Sequence, residues 1–150
     1  MLYSLFRPFL FASDPESVHE HITSFMSTAV KMPIMAKALQ VAYHYSSSRL
    51  NQFVCGLNFE NPVGMAAGFD KTGQLYPFLS NMGFGFVESG TFTAKPQDGN
   101  PKPRLFRFAN EQALLNRMGF NNPGSEAVTK ILENQTQALT KPAPIRGINI

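Results

Sequence analysis

The chain has 150 residues, of which 43% are apolar and 15% charged, with a net charge of +3; this is the composition of a globular chain with a core and excludes disorder. The thirteen Lys and Arg residues are scattered, leaving no basic stripe to track a phosphate backbone, so no nucleic-acid partner is expected. The single cysteine, Cys55, rules out an internal disulfide, favours a reducing compartment and is expected to pack as a small buried hydrophobe.

Leu2, Leu5, Phe6, Phe9 and Leu10 recur at the spacing of one helix face, and Pro8 inside that pattern predicts a kinked, short or late-starting helix. No apolar run approaches the roughly 20 residues of a spanning helix, and the charges and Pro8 do not suit a signal peptide. Asp14-Pro15-Glu16 is a start signal: a capping carboxylate, a proline suited to the first helical position, and an acid at the positive end of the dipole. Val18, Ile22, Phe25, Met26 and Ala29 then line one face of a second helix. His19 and His21, two residues apart, point in different directions on a helix and are not expected to bind a metal. Residues 32–45 add apolar groups, and Ser46-Ser47-Ser48-Arg49 reads as a linker. This helical module carries more apolar surface than short helices bury in each other. Either it docks on the domain C-terminal to it, or it offers an apolar face to a membrane or partner, with Arg7, Lys31 and Lys37 at the rim.

Phe53-Val54-Cys55, Gly56 and Leu57-Asn58-Phe59 read as a small hairpin. In Asn61-Pro-Val-Gly-Met-Ala-Ala-Gly-Phe-Asp-Lys71, a strand over Val63–Ala66 ends in Ala66, Ala67 and Gly68, almost free of side-chain bulk, before Phe69, Asp70 and Lys71. Bare backbone of this kind lets a flat ligand approach closely. Parallel α/β sheets and barrels place their chemistry at such strand ends. The alternative is a tight turn with a solvated lysine. A helix is expected over Thr72–Met82 from Leu75, Phe78, Leu79 and Met82, ended by Gly83-Phe84-Gly85, and a second strand over Phe86–Thr91. Strand, helix, strand in about thirty residues is a βαβ unit.

Thr93–Pro103 holds three prolines and is expected to be a loop; Leu105–Phe108 and Ala113–Leu115 read as a hairpin turning at Ala109-Asn110-Glu111. The stretch from Asn116 to Gly124 is polar and glycine-rich. Its asparagines can read the edge of a planar heterocycle, or they can cap a turn by binding nearby backbone. A helix over Ser125–Leu139 is expected to break at Pro142 and Pro144 before a third strand over Ile145–Ile150. Three parallel strands leave an open edge, and an eight-stranded barrel takes about 250 residues, so residues 50–150 are expected to be the first part of something larger.

Five segments, in order and at consistent spacing, resemble class 2 dihydroorotate dehydrogenase: Asp14-Pro-Glu-x-x-His19, Asn61 to Lys71 as quoted, Gly90-Thr91, Lys102-Pro-Arg-Leu-Phe-Arg107, and Asn116-Arg-Met-Gly-Phe-Asn-Asn122. The resemblance runs to Gly147-Ile-Asn-Ile150 and covers less than half of a family member. It implies an α/β fold: the N-terminal part of an FMN-binding (β/α)8 TIM barrel (residues 49–150), preceded by a small helical extension (residues 1–48). In this family the extension associates with the membrane and forms the quinone tunnel; residues 1–45 would make that contact. The activity implied is oxidation of (S)-dihydroorotate to orotate in pyrimidine biosynthesis, with FMN as cofactor and a membrane quinone as electron acceptor. The location implied is peripheral, on the cytoplasmic face of a bacterial inner membrane.

Carried over by motif, the resemblance makes Ala66, Ala67, Gly68, Phe69, Asp70, Lys71, Thr91 and Asn149 cofactor-binding. Lys71 would also touch substrate, and Asn116, Arg117, Met118, Gly119 and Phe120 would form the loop that grips the pyrimidine. The family's serine base is expected beyond Ile150, and no metal is implied. Two other readings stand beside this one: a truncated, non-catalytic remnant serving as a membrane-associating or interaction module, and an FMN barrel acting on a different flat heterocycle.

Overall fold

A computed structural model describes residues 2–136 and 143–150. Helix α1 (Leu2–Ala12) runs unbroken through Pro8, although the missing N–H leaves one helical hydrogen bond unmade. Its C-terminal end is stabilised from outside, where Arg107 Nη1 donates to the carbonyls of Leu10 (2.8 Å) and Ser13 (3.1 Å). A cation among the last carbonyls of a helix complements its dipole.

Helix α2 (Pro15–Ala29) starts as its sequence signals, with Asp14 Oδ1 accepting the Ser17 N–H at 2.9 Å and Pro15 in the first turn. That hydrogen bond holds the Asp14 carboxyl below its usual range. Helix α3 (Pro33–Tyr43) also begins on a proline, without a side-chain cap. The helical module docks on the sheet and still keeps apolar groups outside. Met26 packs against the core of the following sheet. Phe9 and Val41 remain 73% and 76% exposed, and Phe25 and Ile34 are exposed with them.

Next comes a hairpin of β1 (Gln52–Val54) and β2 (Leu57–Phe59), with Phe53 opposite Asn58. Cys55 lies at its turn with φ 51° and is exposed, not buried as expected. The two-stranded ribbon faces solvent there and offers no core for a thiol to enter.

The central sheet has three parallel strands in the order β3 (Gly64–Met65), β4 (Phe86–Ser89), β7 (Ile145–Ile148). Val87 faces Met65 on one side and Arg146 on the other. Alternation along β4 puts Val87 and Ser89 fully inside, as a pleated strand requires. Val87 meets Leu75, Tyr76 and Leu79 in the core, with Met26, Met65, Phe69, Met82 and Phe84 packed around it. On the opposite face, Phe59, Phe86, Glu88 and Ile148 border an open concavity of about 500 Å³.

Only Tyr76–Leu79 (α4) is α-helical where a helix over Thr72–Met82 is expected. At the C-terminal end the chain tightens into i→i+3 turns, Asn81 N to Phe78 O (3.1 Å) and Met82 N to Leu79 O (2.9 Å); at the N-terminal end the cause is Asp70, whose side chain occupies the preceding turn. Its Oδ1 accepts from Gln74 N (3.1 Å), Thr72 N (3.4 Å) and Thr72 Oγ1 (3.3 Å), and its Oδ2 from Leu75 N (3.1 Å). A carboxylate that takes these N–H groups replaces the first turn of the helix. The same Oδ2 accepts from Ser89 Oγ at 3.0 Å, joining the segment after β3 to the end of β4.

Strands β5 (Leu105–Phe108) and β6 (Ala113–Asn116) form the expected second hairpin, with the four residues 109–112 in its turn and Asn116 included in β6. Helix α5 (Ser125–Thr136) leads back toward β7; the expected extension to Leu139 and the break at Pro142 lie outside the described residues. Gln135 Nε2 donates to Gly73 O (2.8 Å) and Val128 is buried, which fixes α5 beside the turn before α4. Tyr76 closes the unit: its hydroxyl donates to Pro144 O, and the Arg146 guanidinium stands 3.8 Å from its ring centroid. Burial raises the Tyr76 pKa above its ordinary value, so the phenol stays a donor.

Asp70 is 1% exposed and accepts five hydrogen bonds. Asp70→Ala strands a buried hydroxyl and several backbone N–H groups and should cost about 3 kcal/mol or more. Urea unfolding followed by circular dichroism checks this, with Asp70→Asn expected to lose less because one oxygen acceptor remains.

Candidate functional site

The segments leaving β3, β4 and β7 are laced into one rim. Gly68 N donates to Gly90 O (2.8 Å) and Gly90 N to Asp70 O (2.9 Å). Asn149 N donates to Ser89 O (2.9 Å), and Phe92 N returns to Asn149 O (2.9 Å). These backbone bonds bring Gly68, Asp70, Thr91 and Asn149 together at the C-terminal edge of the sheet, the position where parallel sheets bind ligands. The Thr91 hydroxyl donates to Asn149 Oδ1, while Asn149 Nδ2 donates to Glu88 Oε1 at 3.0 Å. By accepting that bond, Glu88 orients the Asn149 amide.

Along the β3 exit, Ala66 is exposed, Ala67 half-buried, and Gly68 has φ +100° with no atom within 4 Å of where a Cβ would stand. The backbone is thus open to a flat group. Phe69 turns inward, its ring edge-on to His19 with centroids 5.2 Å apart. Burial, and then the positive charge of Lys71, lowers the His19 pKa, which keeps the imidazole neutral at neutral pH. The Asp70 carboxylate faces the interior and is fully engaged there, leaving only its backbone at the rim.

Lys71, half-buried, reaches across to the loop after β6. Its Nζ donates to Gly119 O (3.2 Å) and Asn121 Oδ1 (2.9 Å), residues 48 and 50 positions away. Burial is the main cause that lowers its pKa, and the Arg104 charge lowers it further against an opposing pull from Glu16. Among the described residues no carboxylate pairs with Lys71 within 4.0 Å. A partly desolvated ammonium held by two neutral oxygens is prepared to receive an anion.

The loop itself is built by its own asparagines. Asn116 Oδ1 accepts from Met118 N at 2.9 Å. Asn122 is buried and spends its amide on Thr93, Gly124 and Phe120. Met118 is buried, Gly119 presents its carbonyl to Lys71, and the Phe120 ring is exposed. Arg117 leans onto the hairpin, donating to Pro103 O (3.2 Å) with its guanidinium 5.9 Å from the Phe106 centroid. Turn-capping therefore describes Asn116, Asn122 both caps the turn and ties it to Thr93, and Asn121 reaches Lys71. The sequence marks Asn121 only as one of the asparagines of this stretch, outside the residues 116–120 carried over as the substrate loop, and nothing local distinguishes it as the partner of Lys71. Glu88 lies within the expected strand over Phe86–Thr91 and carries no local signal of its contact with Asn149.

Behind the loop lies a buried ion pair. Arg104, 7% exposed, donates through Nε to both oxygens of Glu16 (3.1 Å each) and through Nη2 to Glu16 Oε1 (2.7 Å). Lys102 adds contacts to Glu16 (3.3 Å) and Glu20 (3.1 Å). The Arg104 hydrogen bond is the first cause holding the Glu16 carboxyl below its ordinary pKa.

The family model for dihydroorotate dehydrogenase matches residues 49–150. The dihydroorotate dehydrogenase (quinone) of Christiangramia forsetii is 48% identical over 139 residues, which make up 93% of this chain and 41% of that protein. The dihydroorotate dehydrogenase (quinone) of Acinetobacter baylyi is 47% identical over 151 residues, covering 100% of this chain and 41% of that protein. The chain thus spans about two fifths of the length of these curated relatives. A ligand-free DHODH crystal structure from Eimeria tenella superposes with a TM-score of 0.70 and 39% identity, covering 91% of this chain and 37% of that one. The complex of the Eimeria tenella protein with ferulenol gives a TM-score of 0.68 and 37% identity, covering 90% of this chain and 35% of that one.

Because the Glu16 pKa is depressed, its ion pair contributes stability that is fully present above the ordinary value of 4.5 and is lost as pH falls through the lower folded value. The difference in Tm between the wild type and Glu16→Gln should be constant from neutral pH down to about pH 5, then shrink in more acid buffer. Thermal melts of both proteins across pH 3–7 check the sign.

Proposed function

We propose, on the premise that this chain belongs to the dihydroorotate dehydrogenase family, that it forms the first part of an FMN-binding barrel that oxidises (S)-dihydroorotate to orotate and passes the electrons to a membrane quinone. The observation that carries this reading is the Lys71 ammonium, drawn by Gly119 and Asn121 to the rim where β3, β4 and β7 end. The helices α1 to α3 are read as the membrane-facing extension, on the cytoplasmic face of a bacterial inner membrane, and the pathway as pyrimidine (UMP) biosynthesis.

The residues at the rim suit a flavin. Ala66, Ala67 and Gly68 leave open backbone against which a planar ring can lie, and the Thr91 hydroxyl and Asn149 amide offer polar contacts beside it. The chemistry supplied by a bound FMN is acceptance of two electrons from the substrate and their delivery to the quinone. What this chain contributes is placement and charge. Lys71 can pair with the substrate carboxylate and stabilise negative charge as it develops nearby. The loop from Asn116 to Phe120 covers the pyrimidine and keeps water out, with the Asn116 amide at its start. No residue of this chain is proposed as the general base.

Membrane association is supported by the exposed apolar residues of the helices, Phe9, Phe25, Ile34 and Val41 among them. Among the described residues no helix is long and apolar enough to cross a membrane, so the helices would lie on the surface. The same exposed face supports a second reading, a non-catalytic module that binds membranes or a partner without flavin.

Expressed from its complete reading frame, the protein should purify yellow, with flavin absorbance, and form orotate with a quinone acceptor. A colourless protein that still binds anionic vesicles would support the second reading, and equal turnover with fumarate or NAD would argue against quinone dependence. Lys71→Ala should slow flavin reduction by dihydroorotate about a hundredfold or more. Stopped-flow absorbance measures this, and an unchanged rate would remove Lys71 from the site.

A further inference from the structure

We propose that Asn100 and the buried Glu16–Arg104 pair are positioning residues for the pyrimidine site: together they hold the backbone of residues 117–119 in place for Lys71, so that helix α2 helps to set substrate affinity. The inference rests on the substrate site proposed above and extends it to residues that do not touch substrate.

The connection is continuous. Glu16 occupies the Nε and Nη2 side of the Arg104 guanidinium, 88 residues away in sequence. The remaining nitrogen, Nη1, donates to the carbonyls of Asp98 (2.6 Å) and Asn100 (2.8 Å). That draws the 98–100 backbone inward and turns Asn100 toward the substrate loop. Asn100 N donates to Met118 O (2.9 Å) and Asn100 Nδ2 to Arg117 O (2.6 Å). Arg117 N in turn donates to Arg104 O at 2.9 Å. Residues 117 and 118 are therefore held on both sides, and the next carbonyl along the chain, that of Gly119, is the one Lys71 binds.

Two features show that the fit is tight. Gly99 has φ +77°, and a Cβ there would stand 2.3 Å from Met118 O and 2.8 Å from Arg104 Nη1; only glycine lets the two loops approach this closely. The guanidinium is also needed as such. A lysine could pair with Glu16 but could not serve the carboxylate and two diverging carbonyls at once. None of these Arg104 side-chain bonds goes to the central sheet; they end on Glu16 and on loop backbone.

The test uses the flavin-loaded protein from its complete reading frame, with Asn100→Ala, Glu16→Gln and Arg104→Lys. Asn100 is exposed, so its alanine variant should fold. It should raise the KM for dihydroorotate and the Kd for orotate about tenfold, the loss of roughly one hydrogen bond from the loop. Its kcat should stay within about twofold, and the KM for quinone should not move. Hydrogen-exchange mass spectrometry should show faster exchange over residues 116–121 in all three variants, with β3 and β4 unchanged. The double variant Glu16→Gln/Asn100→Ala should be less than additive in KM, because both act on one loop. Unchanged KM and unchanged loop exchange in Asn100→Ala would overturn the proposal, as would a lowered Tm in Glu16→Gln with neither quantity altered. A wild type that forms no orotate would count against the function proposed above, and loop exchange would then decide the positioning role by itself.

Discussion

The geometry of this protein turns on a buried carboxylate, Asp70, in the segment that follows the first strand of the parallel sheet. Its two oxygens replace the opening turn of α4 and tie that turn to Ser89 at the end of β4. With residue 70 pinned inward, the adjacent Lys71 is fixed at the sheet's C-terminal rim, where it meets a loop nearly fifty residues further along the chain. A lysine on a free turn would spread over many rotamers. Here the backbone on which it stands is immobilised, so a charged group is held where charge can be used.

The site is assembled from parts that cannot hold it separately. Open backbone comes from β3, a hydroxyl from the end of β4, an oriented amide from the end of β7, and a carbonyl and an amide oxygen from the loop after β6. Each is ordinary in isolation: a small-residue turn, a Thr, an Asn, a capped loop. The rim becomes one surface because backbone hydrogen bonds of 2.8–2.9 Å hold the three strand ends together, while Lys71 closes the fourth part onto them. The desolvation that lowers the Lys71 pKa is a consequence of that closure.

The helical module is joined to the rest of the protein by two different forces, one at the core beside the sheet and one at the loop before β5. Met26 supplies apolar contact with the core, and Glu16 supplies a buried charge pair with Arg104. Apolar contact tolerates small shifts, whereas a buried pair does not, since separating it leaves an uncompensated charge away from water. The pair therefore ties α2 to the loop before β5, next to the proposed site. The apolar faces of α1 to α3 that stay outside remain available to a membrane, in keeping with the reading proposed for them.

Much of this could be read directly from the amino-acid order. The start of α2 follows from Asp14 and Pro15, the hairpins from short apolar runs around turn residues, the parallel sheet from the strand–helix–strand order, and the small-residue run before Lys71 from composition, because each depends on neighbours close along the chain. Chain neighbours could not disclose the rest. Helix α4 starts late because Asp70 takes the N–H groups that an apolar repeat assigns to a helix, and Cys55 is exposed because it stands at the solvent-facing turn of its ribbon. Among the asparagines of 116–122, only the path of the chain selects Asn121 for Lys71. Glu16 reads as an acid suited to a helix start, yet it is a buried counterion for Arg104. Sequence spacing encodes what lies within one or two turns. Partners 50 to 90 residues apart meet only once packing has brought their elements together, so folding alone decided which polar groups face one another.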